Sequence, residues 1–167
     1  MIEATGDLWA YSADWFCIPT SGSVRQDGRA VMGAGVALQA RSLYPGLDTL
    51  VGALIRGEGN HLGVFGREHT GYNRNLITFP TKRVYYQKAD LLLIQDSAQG
   101  LGIIARYRKD EVFVLPTPGC GEGRLKWEEV RPYIEDFLPD NVHIIHWMLR
   151  WSHQQYQSPA VDKSNSM

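Results

Sequence analysis

The sequence predicts one α/β domain in which helices cover both faces of a mostly parallel sheet. Short runs rich in Val, Ile, Phe and Trp alternate with longer segments of helical periodicity, which is the pattern of repeated β-α-β units. The 167 residues are enough for one domain of ordinary size with its own core. No internal repeat and no linker rich in Pro, Gly or Ser divides the chain.

Six short apolar runs are the predicted strands, because β-branched and aromatic residues dominate them. In chain order they are Leu8–Tyr11, Trp15–Pro19, Leu62–Phe65, Leu76–Phe79, Val112–Pro116 and Val142–Trp147.

Two helical regions lie between these strands. The first spans Gly35–Leu43 and Leu47–Arg56, and Pro45 and Gly46 should break it into two helices. The second is a long helix over Ala89–Lys109, whose apolar residues recur on one face. That face consists of Leu91, Ile94, Ala98, Leu101 and Ala105.

The last predicted helix precedes the final strand. Its apolar stripe consists of Trp127, Val130, Ile134, Phe137 and Leu138. Pro132 falls beyond the first turn, where proline removes a backbone hydrogen bond and clashes with the preceding turn. We therefore expect a kink or a late start in this helix.

Composition and charge exclude several classes of protein. Seventeen Lys and Arg against eighteen Asp and Glu give a net charge of −1, so no global field attracts nucleic acid or an acidic membrane, although a local basic patch stays possible. Cys17 and Cys120 are too few for a disulfide framework or a zinc site. The chain has neither a signal-peptide pattern nor an apolar run of about 20 residues, so we expect a cytoplasmic protein without a membrane partner.

We expect the domain to span residues 1–151. The remaining residues, 152–167, form a polar and aperiodic tail that we expect to be flexible.

Two glycine-rich segments, each between a predicted strand and a predicted helix, are candidate phosphate sites. They are "VMGAGVA" and "PGCGEGRLKW". Bare glycine backbone before a helix N-terminus offers N–H groups, a favourable dipole and close approach, although either segment alone could be a tight turn. Two of them in one domain favour a diphosphate ligand. The known nucleotide motifs do not fit, because Leu38 replaces the third glycine of a Rossmann fingerprint and no Gly-Lys-Ser/Thr follows either loop.

Four motifs in order resemble the macrodomain family, whose members bind ADP-ribose. They are "GDLWAYSADWFCIPTSG", "VMGAGVALQA", "NLITFPTKR" and "LPTPGCGEGRLKWEEVRPYIEDFL", which together reach from Gly6 to Leu138. The sequence is most similar to two branches, the glycohydrolases that remove ADP-ribose from proteins and the antitoxin enzymes that remove it from DNA bases. The resemblance implies a three-layer α/β/α sandwich around a mixed, mostly parallel sheet, with the ligand at the carboxyl ends of the strands.

The resemblance also implies an ADP-ribose site. In the family, Asp7 would accept a hydrogen bond from the adenine amine, although an Asp at this position could simply stabilise a turn. The first glycine-rich loop would lie along the distal ribose and the diphosphate, and "GCGEG" would close from the other side. The implied binding residues are Asp7, Leu8, Thr20, Ser21, Met32, Gly33, Gly35, Val36, Ala37, Thr81, Pro118, Gly119, Cys120, Gly121, Glu122 and Gly123.

Lys82, in "FPTKR", is the catalytic residue that the resemblance implies. In the protein-directed branch this lysine acts at the anomeric carbon of the distal ribose, where a desolvated amine can lose its proton and form a Schiff base with the opened sugar. In the DNA-directed branch the same amine could instead polarise or position the scissile bond. The alternative is a solvated lysine whose charge steers phosphates.

Two departures from the family pattern bear on the reaction. The turn that carries asparagines in many hydrolytic members is "PTSG" here, so Thr20 and Ser21 offer only hydroxyl groups. Gly123 stands where the protein-directed branch has a catalytic Asp, and Glu122 lies one residue earlier. Because the DNA-directed branch also lacks that Asp, this departure favours the DNA-directed branch.

The predicted function is therefore that of an ADP-ribosyl glycohydrolase acting on a modified DNA base or protein side chain, with no metal and no other cofactor. A non-catalytic ADP-ribose-binding module and a hydrolase of small ADP-ribose derivatives, the 1″-phosphate or the O-acetyl ester, are the alternatives. The five histidines show no metal-binding spacing, and Cys120 has no nearby His to make it a nucleophile. The polar loop Arg67–Asn75 could contact a DNA backbone or be merely solvated.

Overall fold

The computed structural model describes residues 1–147, in which six strands form one sheet. In chain order the strands are β1 (Ile2–Thr5), β2 (Trp15–Ser21), β3 (Gly63–Phe65), β4 (Asn75–Lys82), β5 (Phe113–Pro116) and β6 (Val142–His146). Their order across the sheet is β1-β6-β5-β2-β4-β3. Only β3 runs antiparallel to its neighbour among these six strands, and the mixed, mostly parallel sheet is confirmed.

Helices cover both faces of this sheet. They are α1 (Gly35–Leu43), α2 (Leu47–Glu58), α3 (Arg67–Thr70), α4 (Leu91–Tyr107) and α5 (Trp127–Ile134). Residues of α4 and α5 pack with one face of the sheet in one core, and residues of α1 and α2 pack with the other face in a second core. The three-layer sandwich is thus confirmed. Within residues 1–147, no helix has the length and apolar character needed to cross a membrane.

Two features of the predicted helices are confirmed. The first helical region breaks where "YPG" separates α1 from α2, and Gly46 there adopts a φ of +87°. On α4, the predicted apolar face from Ile94 to Ala105 is buried in the core. Both features follow from local sequence, since turn residues and helical periodicity act within a few residues.

The first predicted strand is wrong. Leu8–Ala10 forms a 3₁₀ helix, and the carboxylate of Asp7 caps it by accepting a hydrogen bond from the Trp9 N–H at 2.9 Å. The strand at this end of the chain is β1, an edge strand with mostly exposed side chains that pairs with β6. Its hydrogen bonds come from residues more than a hundred positions away, so periodicity along the chain could not reveal it.

Of the two alternatives expected for the last helix, a kink or a late start, the late start is wrong. Helix α5 begins at Trp127, where the carboxylate of Glu129 accepts a hydrogen bond from the Lys126 N–H at 2.8 Å. Pro132 lies inside the helix, which ends at Ile134. The predicted boundary at residue 151 and the predicted flexible tail lie outside the described residues.

Two glycines of α2 give a matched test of how this fold packs. A methyl group at Gly52 would overlap the carbonyl oxygen of Gly28, because the segment before α1 lies directly on the helix at this point. A methyl group at Gly57, which is exposed on the same helix, would meet no atom within 4 Å. We expect Gly52→Ala to destabilise the protein by about 1–3 kcal/mol through overpacking. We expect Gly57→Ala to stabilise it by about 0.5–1 kcal/mol.

Urea unfolding at constant m-value measures both changes. Equal effects of the two substitutions would contradict the close contact between α2 and Gly28.

Candidate functional site

An open cleft of about 1230 Å³ lies at the carboxyl ends of the central parallel strands. The last residues of β2, β4 and β5 reach it, and Trp147 reaches it from the end of β6. Ligands of open α/β sheets bind in this position. Residues of both glycine-rich loops contribute to its lining.

The first glycine-rich loop places the N-terminus of α1 on the cleft. Residues Gly33–Ala37 all line it, and the N-cap residue Ala34 supplies no capping side chain. The first-turn N–H groups therefore have no side-chain acceptor from the cap and suit an anionic ligand. The sequence had suggested that this loop follows a strand, but the loop does not come directly after β2. Strand β2 ends at Ser21, and an antiparallel bridge between Val24 and Ala30 intervenes.

The two glycines of this loop are glycine for different reasons. Gly35 has a φ of +56°, a backbone conformation that strains other residues. Gly33 has no positive φ, and a Cβ atom added there would meet nothing within 4 Å. Backbone geometry therefore requires a glycine at position 35, whereas position 33 is simply open to the cleft.

The second glycine-rich loop has no room for a side chain at the position where the protein-directed branch carries its Asp. A Cβ atom added at Gly123 would overlap the carbonyl oxygen of Gly119 and lie 2.8 Å from the Cβ atom of Ala89. The backbone is held there, since the Ala89 N–H donates to the Gly123 carbonyl at 3.0 Å. Glu122 is exposed on the cleft instead. Arg124, also on the cleft, has a φ of 61°, which is uncommon for a residue other than glycine.

Lys82 is the last residue of β4 and lines the cleft. Partial burial lowers the pKa of its amine; the carboxylate of Glu122 opposes this shift, and the guanidinium of Arg124 adds to it. The amine donates a hydrogen bond to the carbonyl oxygen of Tyr85 at 3.2 Å. Lys82 therefore carries a partly desolvated amine that interacts electrostatically with one negative and one positive side chain.

The backbone around Lys82 is held by several hydrogen bonds. The Lys82 carbonyl accepts from the Gly22 N–H and from the side-chain amide of Asn60, both at 3.0 Å. The carbonyl of Thr81 accepts from the Asp90 N–H at 2.9 Å, and the carboxylate of Asp90 pairs with Arg83 at 2.8 Å. A fixed backbone limits the positions that the amine can take.

The cleft brings together most, but not all, of the sequence-predicted binding residues. Those that line it are Thr20, Ser21, Gly33, Gly35, Val36, Ala37, Thr81, Gly119, Gly121, Glu122 and Gly123, together with Lys82. Leu8, Met32 and Pro118 are buried, and Cys120 packs against the core. Burial raises the pKa of the Cys120 thiol to about 11, which suits a packing role.

Asp7 does not line the cleft, whereas Trp147 does. Thr5 pairs with His146, and the Gly6 N–H donates to the His146 carbonyl at 3.0 Å. Asp7 and Trp147 therefore both follow the paired ends of β1 and β6.

Several cleft residues were missed by the sequence predictions. They are Pro19, Ser23, Val24, Arg25, Gln26, Val31, Ala34, Tyr85, Tyr86, Pro116, Thr117, Arg124 and Trp147. Trp147 ended a predicted strand and Tyr85 lies three positions after Lys82, so their places near the carboxyl edge of the sheet could have been inferred. Nothing in the sequence marked Arg25, because the bridge between Val24 and Ala30 brings it to the cleft.

The loop Arg67–Asn75 does not line the cleft. Arg74 lies over the rings of Trp9 and Phe16 and donates hydrogen bonds to Tyr44 and to the Trp9 carbonyl. The guanidinium of Arg74 is therefore engaged in contacts within the protein. Residues 1–147 contain no group of three His, Cys, Asp or Glu side chains that could hold a metal ion.

Comparison with known proteins places these features in context. No family model matches the sequence. The chain is 29% identical over 111 residues to a DNA ADP-ribosyl glycohydrolase of Thermus aquaticus, a match that covers 65% of this chain and 31% of that protein. The chain thus spans about a third of the length of this curated relative.

Solved structures share the fold. The macrodomain of Mycobacterium tuberculosis DarG superposes with a TM-score of 0.70 at 24% identity, over 87% of this chain and 95% of that one. Thermosipho africanus DarTG in complex with ADP-ribose gives a TM-score of 0.71 at 19% identity, over 87% of this chain and 40% of that one. The macrodomain of Thermus aquaticus DarG gives 0.67 at 21% identity, over 88% of this chain and 97% of that one.

Proposed function

Since the chain has the macrodomain fold, we propose that it binds ADP-ribose in the cleft and hydrolyses the glycosidic bond that joins ADP-ribose to a macromolecule. The observation that carries this proposal is the position of Lys82, whose partly desolvated amine lines the cleft between the two glycine-rich loops. A relative named as a DNA ADP-ribosyl glycohydrolase and a similar structure named as a complex with ADP-ribose support it.

The lining of the cleft suits the parts of ADP-ribose. The N-terminus of α1 offers N–H groups and a positive dipole end to the diphosphate, and Gly33 lets it approach the backbone. The hydroxyl groups of Thr20 and Ser21, at the end of β2, can bond the distal ribose. We further propose that the Trp147 ring, which lines the cleft, stacks on adenine, and that Asp7, which follows the paired ends of β1 and β6, accepts a hydrogen bond from the adenine amine.

The proposed chemistry starts from the neutral form of Lys82. Its amine attacks the anomeric carbon of the distal ribose, the bond from that carbon to the leaving group breaks, and the leaving group takes up a proton. Ring opening of the resulting adduct gives a Schiff base, which water hydrolyses to release ADP-ribose and the free amine. The hydrogen bond to the Tyr85 carbonyl and the fixed backbone hold the amine in place before reaction.

This chemistry predicts that substitutions of Glu122 and Arg124 shift the pH profile of the reaction rate in opposite directions. Activity that needs the neutral amine rises with pH through the pKa of Lys82. The Glu122 carboxylate raises that pKa and the Arg124 guanidinium lowers it. We therefore expect Glu122→Gln to move the rise in kcat to lower pH and Arg124→Gln to move it to higher pH.

Single-turnover rates measured across the pH range test this prediction. Shifts of the same sign in both variants, or a rate that does not depend on pH, would contradict a neutral Lys82 as the reacting group.

We propose a DNA base as the preferred point of attachment. The loop has no room for the Asp of the protein-directed branch at Gly123, and the curated relative is named for DNA. Incubation with ADP-ribosylated DNA, ADP-ribosylated protein, ADP-ribose 1″-phosphate and O-acetyl-ADP-ribose distinguishes the possible activities. Release of ADP-ribose from the DNA alone is the expected result. Binding of ADP-ribose by calorimetry without release from any substrate would show a non-catalytic binding module and overturn the proposal.

A further inference from the structure

Beyond Lys82, the cleft continues into a region that we call the outer lip, formed by Ser23–Gln26 and by Tyr85 and Tyr86. The two segments are joined, because the Tyr85 N–H donates to the Ser23 hydroxyl oxygen at 3.0 Å. Both segments line the same cleft as the glycine-rich loops. The outer lip is therefore a continuation of the candidate site.

The two tyrosines of the outer lip expose their rings. Tyr85 is 54% exposed and Tyr86 is 69% exposed, and the rings meet edge to face with centroids 5.3 Å apart. Such a pair is held in place by its own contact and leaves ring faces open to solvent. Exposed ring faces of this kind stack on nucleobases of any sequence.

Arg25 adds a cation to the outer lip. Its backbone is fixed, because its carbonyl accepts from the Arg56 guanidinium at 2.9 Å and its N–H donates to the Arg29 carbonyl at 2.8 Å. Within residues 1–147 its own guanidinium makes no hydrogen bond and no ion pair; it interacts electrostatically with the carboxylate of Asp27, which is itself paired with Arg29. A guanidinium on a fixed turn is suited to a phosphate group.

The outer lip adjoins the proposed reacting amine. The Lys82 amine donates to the carbonyl of Tyr85, so this tyrosine lies beside the bond that would break. ADP-ribose would fill the cleft from Trp147 to Lys82, and the leaving group would extend from Lys82 toward Tyr85 and Tyr86. With the ligand placed in this way, the outer lip would face the macromolecule and not the ADP-ribose.

We propose that the outer lip binds the nucleotides that flank an ADP-ribosylated base in a single-stranded nucleic acid. A flanking base stacks on Tyr86 and a flanking phosphate contacts Arg25. This inference rests on the proposed function. Exposed aromatic faces beside a guanidinium suit a strand of bases and phosphates better than a peptide. Since the net charge of the protein is −1, the attraction for phosphate groups must come from this local cation and not from the overall charge.

The test measures binding in the full chain carrying Lys82→Ala, so that no substrate is consumed. A labelled single-stranded DNA of about ten nucleotides, within the range of known strand-binding sites, carries one ADP-ribosylated base. We expect Tyr86→Ala to weaken its binding about tenfold and Tyr86→Phe, which keeps the ring, to change it less than about twofold. We expect Arg25→Gln to reduce the slope of log K against log salt by about 0.7, as for one lost phosphate contact.

Two control variants match these substitutions away from the cleft. Tyr107→Ala removes a tyrosine that is 87% exposed at the end of α4, and Lys109→Gln removes an exposed cation just after that helix. Both should bind the oligomer like the parent. Equal losses in Tyr86→Ala and Tyr107→Ala, or an unchanged affinity in Tyr86→Ala, would overturn the proposal.

Further ligands separate this inference from the proposed function. Free ADP-ribose should bind all of these variants equally, and failure of the parent to bind it would count against the proposed function. The unmodified oligomer should bind more weakly than the ADP-ribosylated one, and Tyr86→Ala should reduce its affinity by the same factor. This measurement tests the outer lip even if the parent does not bind ADP-ribose. An equal loss of affinity for an ADP-ribosylated peptide would instead identify a protein-binding surface and overturn the proposal.

Discussion

Replacing Lys82 with alanine should lower turnover on the order of 10²–10⁴-fold while affinity for ADP-ribose changes by less than about twofold. The amine makes one hydrogen bond within residues 1–147, to the Tyr85 carbonyl, so its removal leaves the glycine-rich walls in place. Single-turnover assays on an ADP-ribosylated DNA and calorimetry with free ADP-ribose measure the two quantities separately. A loss of turnover with retained binding is the result expected for a group that acts in the chemical step.

Lys82→Arg distinguishes catalysis from charge steering. Arginine keeps the positive charge near the diphosphate, but it stays protonated in proteins and cannot supply a neutral amine. We expect this variant to be as inactive as Lys82→Ala. Lys88→Ala, which removes an exposed lysine six positions away, should keep full turnover. Wild-type activity in Lys82→Arg would show that the charge alone suffices and would refute the amine mechanism.

Gly33→Glu should abolish ADP-ribose binding, with a loss of about 100-fold or more, and leave the fold intact. A Cβ atom added at position 33 meets no protein atom within 4 Å and Gly33 lines the cleft, so we expect the Glu side chain to occupy the space where the diphosphate would lie. Its carboxylate would oppose the phosphate charges as well as fill their space. We expect the melting temperature to change by no more than about 2 °C, as for an exposed site.

Gly57→Glu is the matched control for this substitution. It places the same side chain at an exposed glycine of α2, where an added Cβ also meets nothing within 4 Å. It should bind ADP-ribose like the wild type. Gly35→Glu is a poorer test, because the φ of +56° at that position strains any residue other than glycine. A loss of binding in that variant could come from a destabilised fold as well as from a blocked cleft. Undiminished ADP-ribose binding in Gly33→Glu would place the diphosphate elsewhere.

Most helices and the central strands could be predicted from the sequence. The face of α4 from Ile94 to Ala105 and the break at "YPG" follow from spacing over a few residues, which acts whatever the rest of the chain does. β1 could not be predicted, because its partners in β6 lie at the other end of the described chain. Leu8–Ala10 carried a strand-like composition, but the cap by Asp7 and the burial of Leu8 favoured a 3₁₀ turn.

Some features of the candidate site could also be predicted from the sequence, whereas others could not. The two glycine-rich loops and Lys82 were recognisable because their motifs are contiguous and their order along the chain is informative. The roles of the single glycines could not be recognised, since nothing in the sequence distinguishes Gly33, Gly35 and Gly123. One is open to the cleft, one has a positive φ and one packs against Gly119 and Ala89.

The sequence by itself therefore determined an α/β domain with two glycine-rich loops and a lysine near the end of a strand, because these depend on residues close together along the chain. Only the tertiary structure decided that Glu122 and Arg124 act on the pKa of Lys82, and that Arg25, Tyr85 and Tyr86 extend the cleft beyond it. Electrostatic coupling and shared surface depend on distances in space. The packing of the loops and strands sets those distances, and residues far apart along the chain supply that packing.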